Sequence, residues 1–291
     1  ASTLPALVAG GGVDTGIDPV ALHHYLSLHS VVPAPRTILA GVRRLDAGTV
    51  MRVEADGRRS THRYWEPARL RRDELADLSA DEWRDALGDS LRQAVRRRLV
   101  ADVPVGVLLS GGLDSSLIVG LLAELGQEKL STFSIGFESA GEIEGDEFRY
   151  SDVVAQRSDT DHHRLRIPTV DLVPALRDAI GAMSEPMVSH DVVAFHLLSQ
   201  VVSRHVKVVQ SGQGADEVFA GYHWYPPLVD VDDDGASAYR AGFVDRPPSA
   251  MADLVDRDWL ADHDVTGELI ASHFARPGAD TAVDRALRLD T

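Results

Sequence analysis

At 291 residues, with 44% hydrophobic and 25% charged positions, the chain can bury a sizeable core, and its composition excludes a wholly disordered protein. It contains no cysteine, which excludes disulfides, zinc–thiolate centres and cysteine nucleophiles within these residues; its formal net charge of −16 opposes nucleic acid as a partner. No stretch approaches the roughly 18 apolar residues of a membrane span, and no basic-then-apolar segment opens the chain, so no membrane partner and a cytoplasmic location are expected.

In chain order, "GGGVDTG" near Gly10 has Thr15 where a dinucleotide fingerprint wants its third glycine, and it reads as a loop. "DPVALHHYLSLHS" (18–30) has helical spacing, with Asp18 as N-cap. Residues 37–65 alternate apolar and polar positions around "ADG" at 55–57, which predicts a hairpin in a β-rich first piece. Residues 1–66 therefore form one piece, a polar linker covers 67–78, and a larger domain covers 79–291. Ser79 opens a helix through a capping box, with Trp83, Leu87, Leu91, Val95 and Leu99 on one face. The run Arg96 to Arg98 is its solvated end.

The rhythm then becomes strand, turn, helix. "VGVLL", "LSTFSIGF", "HHRLRI" and "VKVVQSG" each precede a helix, one of them around 147–158. Short apolar strands alternating with helices predict an α/β fold with a doubly wound, mostly parallel sheet.

The densest chemistry lies in "LSGGLDSS" (109–116). Two glycines after a buried strand can adopt positive φ and let an anion approach the backbone. The helix that follows adds free N–H groups and the positive end of its dipole, and Ser115 and Ser116 add hydroxyl donors. This is an anion cradle without the lysine of an ordinary P-loop. Asp114 would repel phosphate oxygens unless a divalent cation lay between them, which points to magnesium pyrophosphate.

"SGGLDSS" is similar to the pyrophosphate loop of the ATP pyrophosphatase superfamily. "TFSIGF" (132–137) and "SGQGADEVFAGY" (211–222) extend the likeness to glutamine-dependent asparagine synthetases, and "GVRRLDAGTVMRV" resembles the end of that family's glutaminase domain. "GDEFRYSD", "SEPMVSHD" and "VKVVQSGQGADEVFAGYHWYPPL" resemble the N-acetylglutaminylglutamine amidotransferase branch. The resemblance implies an adenine nucleotide alpha hydrolase-like domain preceded by the β-rich tail of an N-terminal nucleophile glutaminase domain. The implied chemistry is ATP-dependent activation of a carboxylate, release of pyrophosphate, and attack by glutamine-derived ammonia, with ATP and Mg2+ required. By the same resemblance, Leu109 and Ile135 would meet adenosine through backbone atoms, while Ser110, Gly111, Gly112, Ser115 and Ser116 would hold phosphates. Ser211 and Gly212 would close over the nucleotide, Asp114 and Asp216 would ligate magnesium, and Glu185, His190 and Asp191 would lie near the acceptor carboxylate. A homodimer is left open.

Three departures accompany the likeness. Gln213 stands where most of these synthetases have glutamate, and an amide cannot take a proton from ammonia. The chain begins at Ala1 without the nucleophilic cysteine of a glutaminase. Neither Lys129 nor Lys207 matches the family's phosphate-stabilising lysine. The chain therefore reads as an interior piece, and a nucleotide-binding scaffold that has lost catalysis is the alternative function. A sulfur-transferring or tRNA-thiolating relative fits poorly, lacking both cysteine and basic surface. "DVDDDG" (230–235) lacks the glutamate that closes a calcium loop, having Ala241 there, and reads as a solvated acidic turn. His162 and His163, being adjacent, belong to opposite faces of a strand.

Overall fold

The computed structural model describes residues 1, 3–67, 75, 77–138, 145–185, 187 and 191–291. They fall into two compact units: Ala1–Leu70 with Ala182–Ser189 and Asp216–Thr291, and Arg71–Gly181 with His190–Ala215.

The second unit holds a four-stranded parallel sheet of β3 (Val105–Leu108), β4 (Ser131–Phe137), β5 (Asp161–Ile167) and β6 (Val208–Gln210), in the order β5-β4-β3-β6. Its helices are α3 (Ala80–Arg98), α4 (Leu113–Glu124), α5 (Phe148–Arg157), α6 (Leu172–Ala182) and α7 (Asp191–His205). Successive side chains along β3 alternate between faces. Val107 and Leu109 pack with Val95 of α3, Val119 and Leu122 of α4, and Ala155 of α5. Leu108 instead joins Phe133 and Ile135 against Leu198, Val202 and Val206, the first two of these on α7. Helices thus cover both faces, the doubly wound arrangement expected from the strand rhythm. Gly106 permits this closeness, because a Cβ there would lie 2.9 Å from the Ser131 carbonyl and 3.0 Å from the Phe133 ring.

Ser79 caps α3 through a full capping box with Glu82. Only part of the expected stripe on that helix is buried: Val95 is enclosed and Leu91 and Leu99 pack beside it, whereas Trp83 and Leu87 remain exposed. The adjacent histidines of β5 do take opposite faces. His162 bonds Thr132 through Nδ1 at 2.8 Å, while the His163 ring stacks on Phe133 at 5.0 Å.

The first unit contains α1 (Leu4–Ala9), α2 (Pro19–Ser27) and the antiparallel ribbon β1 (Thr49–Val53) and β2 (Arg59–Arg63). Further along lie α8 (Ala215–Phe219), α9 (Ala236–Phe243), α10 (Pro248–Met251), α11 (Val265–Phe274) and α12 (Ala282–Asp290). Asp18 caps α2 by accepting from the Val20 and Ala21 N–H groups. The predicted hairpin turns at residues 54–58 as expected, but its strands begin only at Thr49. Residues 37–48 form turns and isolated bridges, where Gly41 lets the chain press within van der Waals range of the Asp14 backbone. The core gathers Tyr225, Leu228, Tyr239, Ile270, Phe274, Ala282 and Ala286. The "DVDDDG" segment is a pair of Asx turns: Asp233 accepts from the Gly235 N–H and Asp234 from that of Ala236. Among the described residues, no helix is long and apolar enough to cross a membrane.

Candidate functional site

β3 and β6 are neighbours, yet the chain leaves β3 toward β4 on one side and reaches β6 on the other. In open parallel sheets, such a reversal of winding leaves a crevice at the carboxyl ends of the strands. Two loops emerge there, Ser110–Gly112 after β3 and Ser211–Gly214 after β6.

The first loop is shaped by glycine. Gly111 has φ +90°, and a Cβ on it would lie 2.5 Å from the Ser151 nitrogen and 2.6 Å from Tyr150 Cβ, so the start of α5 packs directly over the loop. Gly112 is the N-cap of α4 and supplies no side-chain cap, leaving the first-turn N–H groups of Leu113, Asp114 and Ser115 directed out of the helix end. Hydroxyls brace the turn. Ser110 Oγ accepts from the Gly112 N–H at 3.2 Å and lies 3.0 Å from Ser115 Oγ, which also reaches the Gly112 carbonyl. Ser116 Oγ is buried with no hydrogen-bond partner among the described residues. Asp114, half-buried in the first turn, forms no ion pair among the described residues.

The second loop meets the first at one point. A Cβ on Gly212 would lie 2.9 Å from Asp114 Cβ and 3.0 Å from the Ser115 nitrogen. Gln213 is exposed, its N–H donating to Ser211 Oγ at 3.1 Å, and Gly214 takes φ +92° before α8 begins. The structure thus gathers Ser110, Gly111, Gly112, Asp114, Ser115, Ser116, Ser211, Gly212 and Gln213 at one end of the sheet.

The remaining candidates have other surroundings. The Leu109 backbone is engaged with β4: its N–H donates to the Phe133 carbonyl at 2.8 Å, and its carbonyl accepts from Ser134 Oγ. Ile135 pairs in register with Leu165 of β5 and is half-buried. Asp216 begins the last segment of the first unit, where its carbonyl accepts from the Gly221 N–H at 3.0 Å. Glu185 forms an ion pair with Arg44. Asp191 opens α7, where a carboxylate complements the positive helix end. His190 lies outside the described residues.

Sequence reasoning did not single out Ser134, which fixes the Leu109 carbonyl, nor the pair Glu217 and Tyr222, joined at 2.8 Å through the phenol hydroxyl. Burial and the Glu217 hydrogen bond push the Tyr222 phenol up to about 12, so it remains a donor. Glu217 and Tyr222 both stand inside the "SGQGADEVFAGY" motif. The pairing of carboxylate and phenol within it carries no spacing signal of its own.

The asparagine synthase family model matches residues 86–290, and a glutamine amidotransferase domain model matches residues 1–65. The chain belongs to the asparagine synthase family. A putative glutamine-hydrolysing asparagine synthetase of Mycobacterium tuberculosis (strain ATCC 25618 / H37Rv) is 36% identical over 218 residues, 74% of this chain and 32% of that protein. Asparagine synthetase (glutamine-hydrolysing) 1 of Bacillus subtilis is 32% identical over 216 residues, 73% of this chain and 32% of the other. A putative glutamine-hydrolysing asparagine synthetase 2 of Methanocaldococcus jannaschii is 33% identical over 237 residues, covering 81% and 42%. The chain thus spans about a third of the length of the first curated relatives it matches. Among solved structures, the NH3-dependent NAD synthetase of Campylobacter jejuni in complex with nitrate overlaps 47% of this chain and 60% of that one, with a TM-score of 0.34 and 14% identity.

Proposed function

We propose that this chain carries the ATP-using part of a glutamine-dependent amidotransferase. In this reading the carboxylate of a small acceptor attacks the α-phosphorus of ATP, pyrophosphate leaves, and ammonia then displaces AMP from the acyl-adenylate to form an amide. The observation that carries the reading is the meeting of two glycine loops at the carboxyl ends of adjacent parallel strands, with an uncapped helix N-terminus and the unpartnered Ser116 hydroxyl beside them. Backbone N–H groups there are fixed before any phosphate arrives, which is how a site stabilises charge without reorganising.

The residues fit magnesium as a hard cation held through few protein oxygens. Among the described residues, Asp114 is a carboxylate without an ion-pair partner, and no cluster of three or more ligating side chains forms an all-protein cage. Asp114 and, on the sequence likeness, Asp216 are the proposed ligands; the metal would neutralise the departing pyrophosphate. In the same reading residues 1–66 are the end of an N-terminal nucleophile glutaminase domain, 67–78 a linker and 79–291 an adenine nucleotide alpha hydrolase-like synthetase domain. Glutamine-derived ammonia is the nitrogen source, and the protein is cytoplasmic.

The deciding experiment is ATP–pyrophosphate exchange by the full-length enzyme, with aspartate and N-acetylglutaminylglutamine compared as acceptors. Exchange stimulated by one of them, and reduced at least about tenfold by Asp114→Asn, is the expected result; a tenfold loss corresponds to about 1.4 kcal/mol. Nucleotide binding without exchange for any carboxylate would favour a non-catalytic scaffold, the reading that the exposed amide of Gln213 otherwise invites.

A further inference from the structure

We propose that Asp290 is a positioning residue for the acidic end of the second loop, acting on Glu217 through the aromatic side chains between them. The proposal rests on the reading that this loop serves magnesium and ATP. Asp290 ends α12, and three donors converge on its carboxylate. The Tyr225 hydroxyl donates to Oδ2 at 2.6 Å, Trp224 Nε1 donates to the same oxygen at 3.2 Å, and the Tyr239 hydroxyl donates to Oδ1.

The chain of contacts continues toward the loop. The Trp224 ring stacks on Tyr222 with centroids 4.2 Å apart and planes at 21°, and Tyr225 lies parallel to Tyr222 at 6.4 Å. Tyr222 in turn gives its hydroxyl proton to Glu217 Oε1 at 2.8 Å. The other oxygen, Glu217 Oε2, is buried and has no hydrogen-bond partner among the described residues. One carboxylate oxygen is therefore fixed and the second is held in place as an unused acceptor.

α8, which carries Asp216 and Glu217, has only five residues, too few to be stable alone. It is left through Ala220 at φ +56°, and Gly221 crosses so close to Asp216 that a Cβ there would lie 2.0 Å from Oδ1. The adjoining Tyr222–Tyr225 turn, which Asp290 grips, then helps to set the orientation of α8. Burial, together with the Asp290 carboxylate, raises the Tyr225 and Tyr239 phenols, so both stay protonated and keep donating. A carboxylate in this aromatic core costs desolvation, whereas simple packing could be met by apolar side chains; what it adds is one defined arrangement of its donors.

The test uses the full-length enzyme with Asp290→Asn, Tyr222→Phe and the double variant, reading Mg2+ half-saturation and kcat of ATP–pyrophosphate exchange beside thermal melting. Each single substitution should raise the Mg2+ half-saturation about threefold, less than the roughly tenfold or more that follows loss of a partner bonded directly to a metal ligand. Tyr222→Phe keeps the stacked ring and should melt close to the wild type. The double variant should be no worse than the weaker single one, because both cut the same path. If Asp290→Asn does not fold, Tyr225→Phe, which leaves two donors in place, is measured instead. Unchanged Mg2+ dependence, or single effects that multiply in the double variant, overturns the positioning role while the functional reading stands. A wild-type enzyme without exchange overturns both.

Discussion

The loop after β3 and the acidic segment after β6 are built on opposite plans. Between Ser110 and Ser116 the polar braces are local: hydroxyls bond within the turn, while a left-handed glycine lets α5 pack over it. Glu217 is tied instead to partners further along the chain, first Tyr222 and then residues gathered around Asp290. A cradle for an invariant group such as phosphate can be made from backbone and short side chains. Carboxylates that must be aimed need support from elsewhere in the core.

The harshest trial of this contrast is Gly111→Ala. Left-handed backbone costs a non-glycine residue about 1–3 kcal/mol, and the new Cβ would also strike the Ser151 nitrogen at 2.5 Å. Exchange should fall at least about a hundredfold, or about 2.7 kcal/mol, with a lowered melting temperature. A variant that melts and turns over normally would show that the loop does not depend on its left-handed glycine.

Acid probes the other plan, by weakening the unit that contains Asp216 and Asp290. Burial, then the nearby His23 and Arg36, lowers His24 from 6.5 to about 4, although Asp18 opposes the shift. Its folded pKa lies below the unfolded one, so the unfolded chain takes up the proton first. Stability should be complete above pH 6.5, fall by about 1 kcal/mol per pH unit toward pH 4, and level off below. His24→Asn, whose amide oxygen can replace Nδ1 beside the Thr266 hydroxyl, should flatten that slope in pH-dependent melts. An unchanged slope would assign the acid sensitivity to other groups.

Gly212→Ala sharpens the comparison where the loops touch. Its backbone is unstrained, but a Cβ 2.9 Å from Asp114 Cβ must push the loops apart. The KM for ATP should rise about tenfold, about 1.4 kcal/mol, with a smaller melting shift than for Gly111→Ala. Equal KM values would mean that the contact can relax without disturbing the nucleotide.

Ser116→Ala should have the smallest effect. Removing a buried hydroxyl that has no partner leaves stability unchanged or raises it by less than about 1 kcal/mol. Nucleotide affinity, read by calorimetry, should still fall about threefold, or about 0.7 kcal/mol. A clear loss of stability would show that the hydroxyl serves the fold.

What could be read in the sequence was what is local. The cap at Asp18, the capping box at Ser79 and the glycine turn before α4 each lie within a few residues of the structure they specify. The expected hairpin is longer than the real one because alternation continues through 37–48, where contact between Gly41 and Asp14 replaces pairing. Trp83 and Leu87 share a helical face with Val95, but the strands and helices they would need to reach lie only near the later turns of α3. The likeness implies a place for Glu185 near the acceptor carboxylate; its ion pair with Arg44 joins positions 141 apart, which no spacing rule can reveal. The grip of Asp290 on Tyr225 is hidden for the same reason, the two lying 65 positions apart.

The pairing of Val105 with Val208 has a consequence for the order of assembly. β3, α4 and β4 are consecutive and can condense as one early unit, complete with the glycine turn. β6 can add only after the whole intervening stretch has closed, a step that carries more loop entropy and slows folding. The cradle is therefore expected to exist in the nascent protein before its second wall arrives, and ATP present during refolding could engage a half-built site. Because ligand binding stabilises whichever state it prefers, nucleotide would then act on the sequence of folding events as well as on the finished fold.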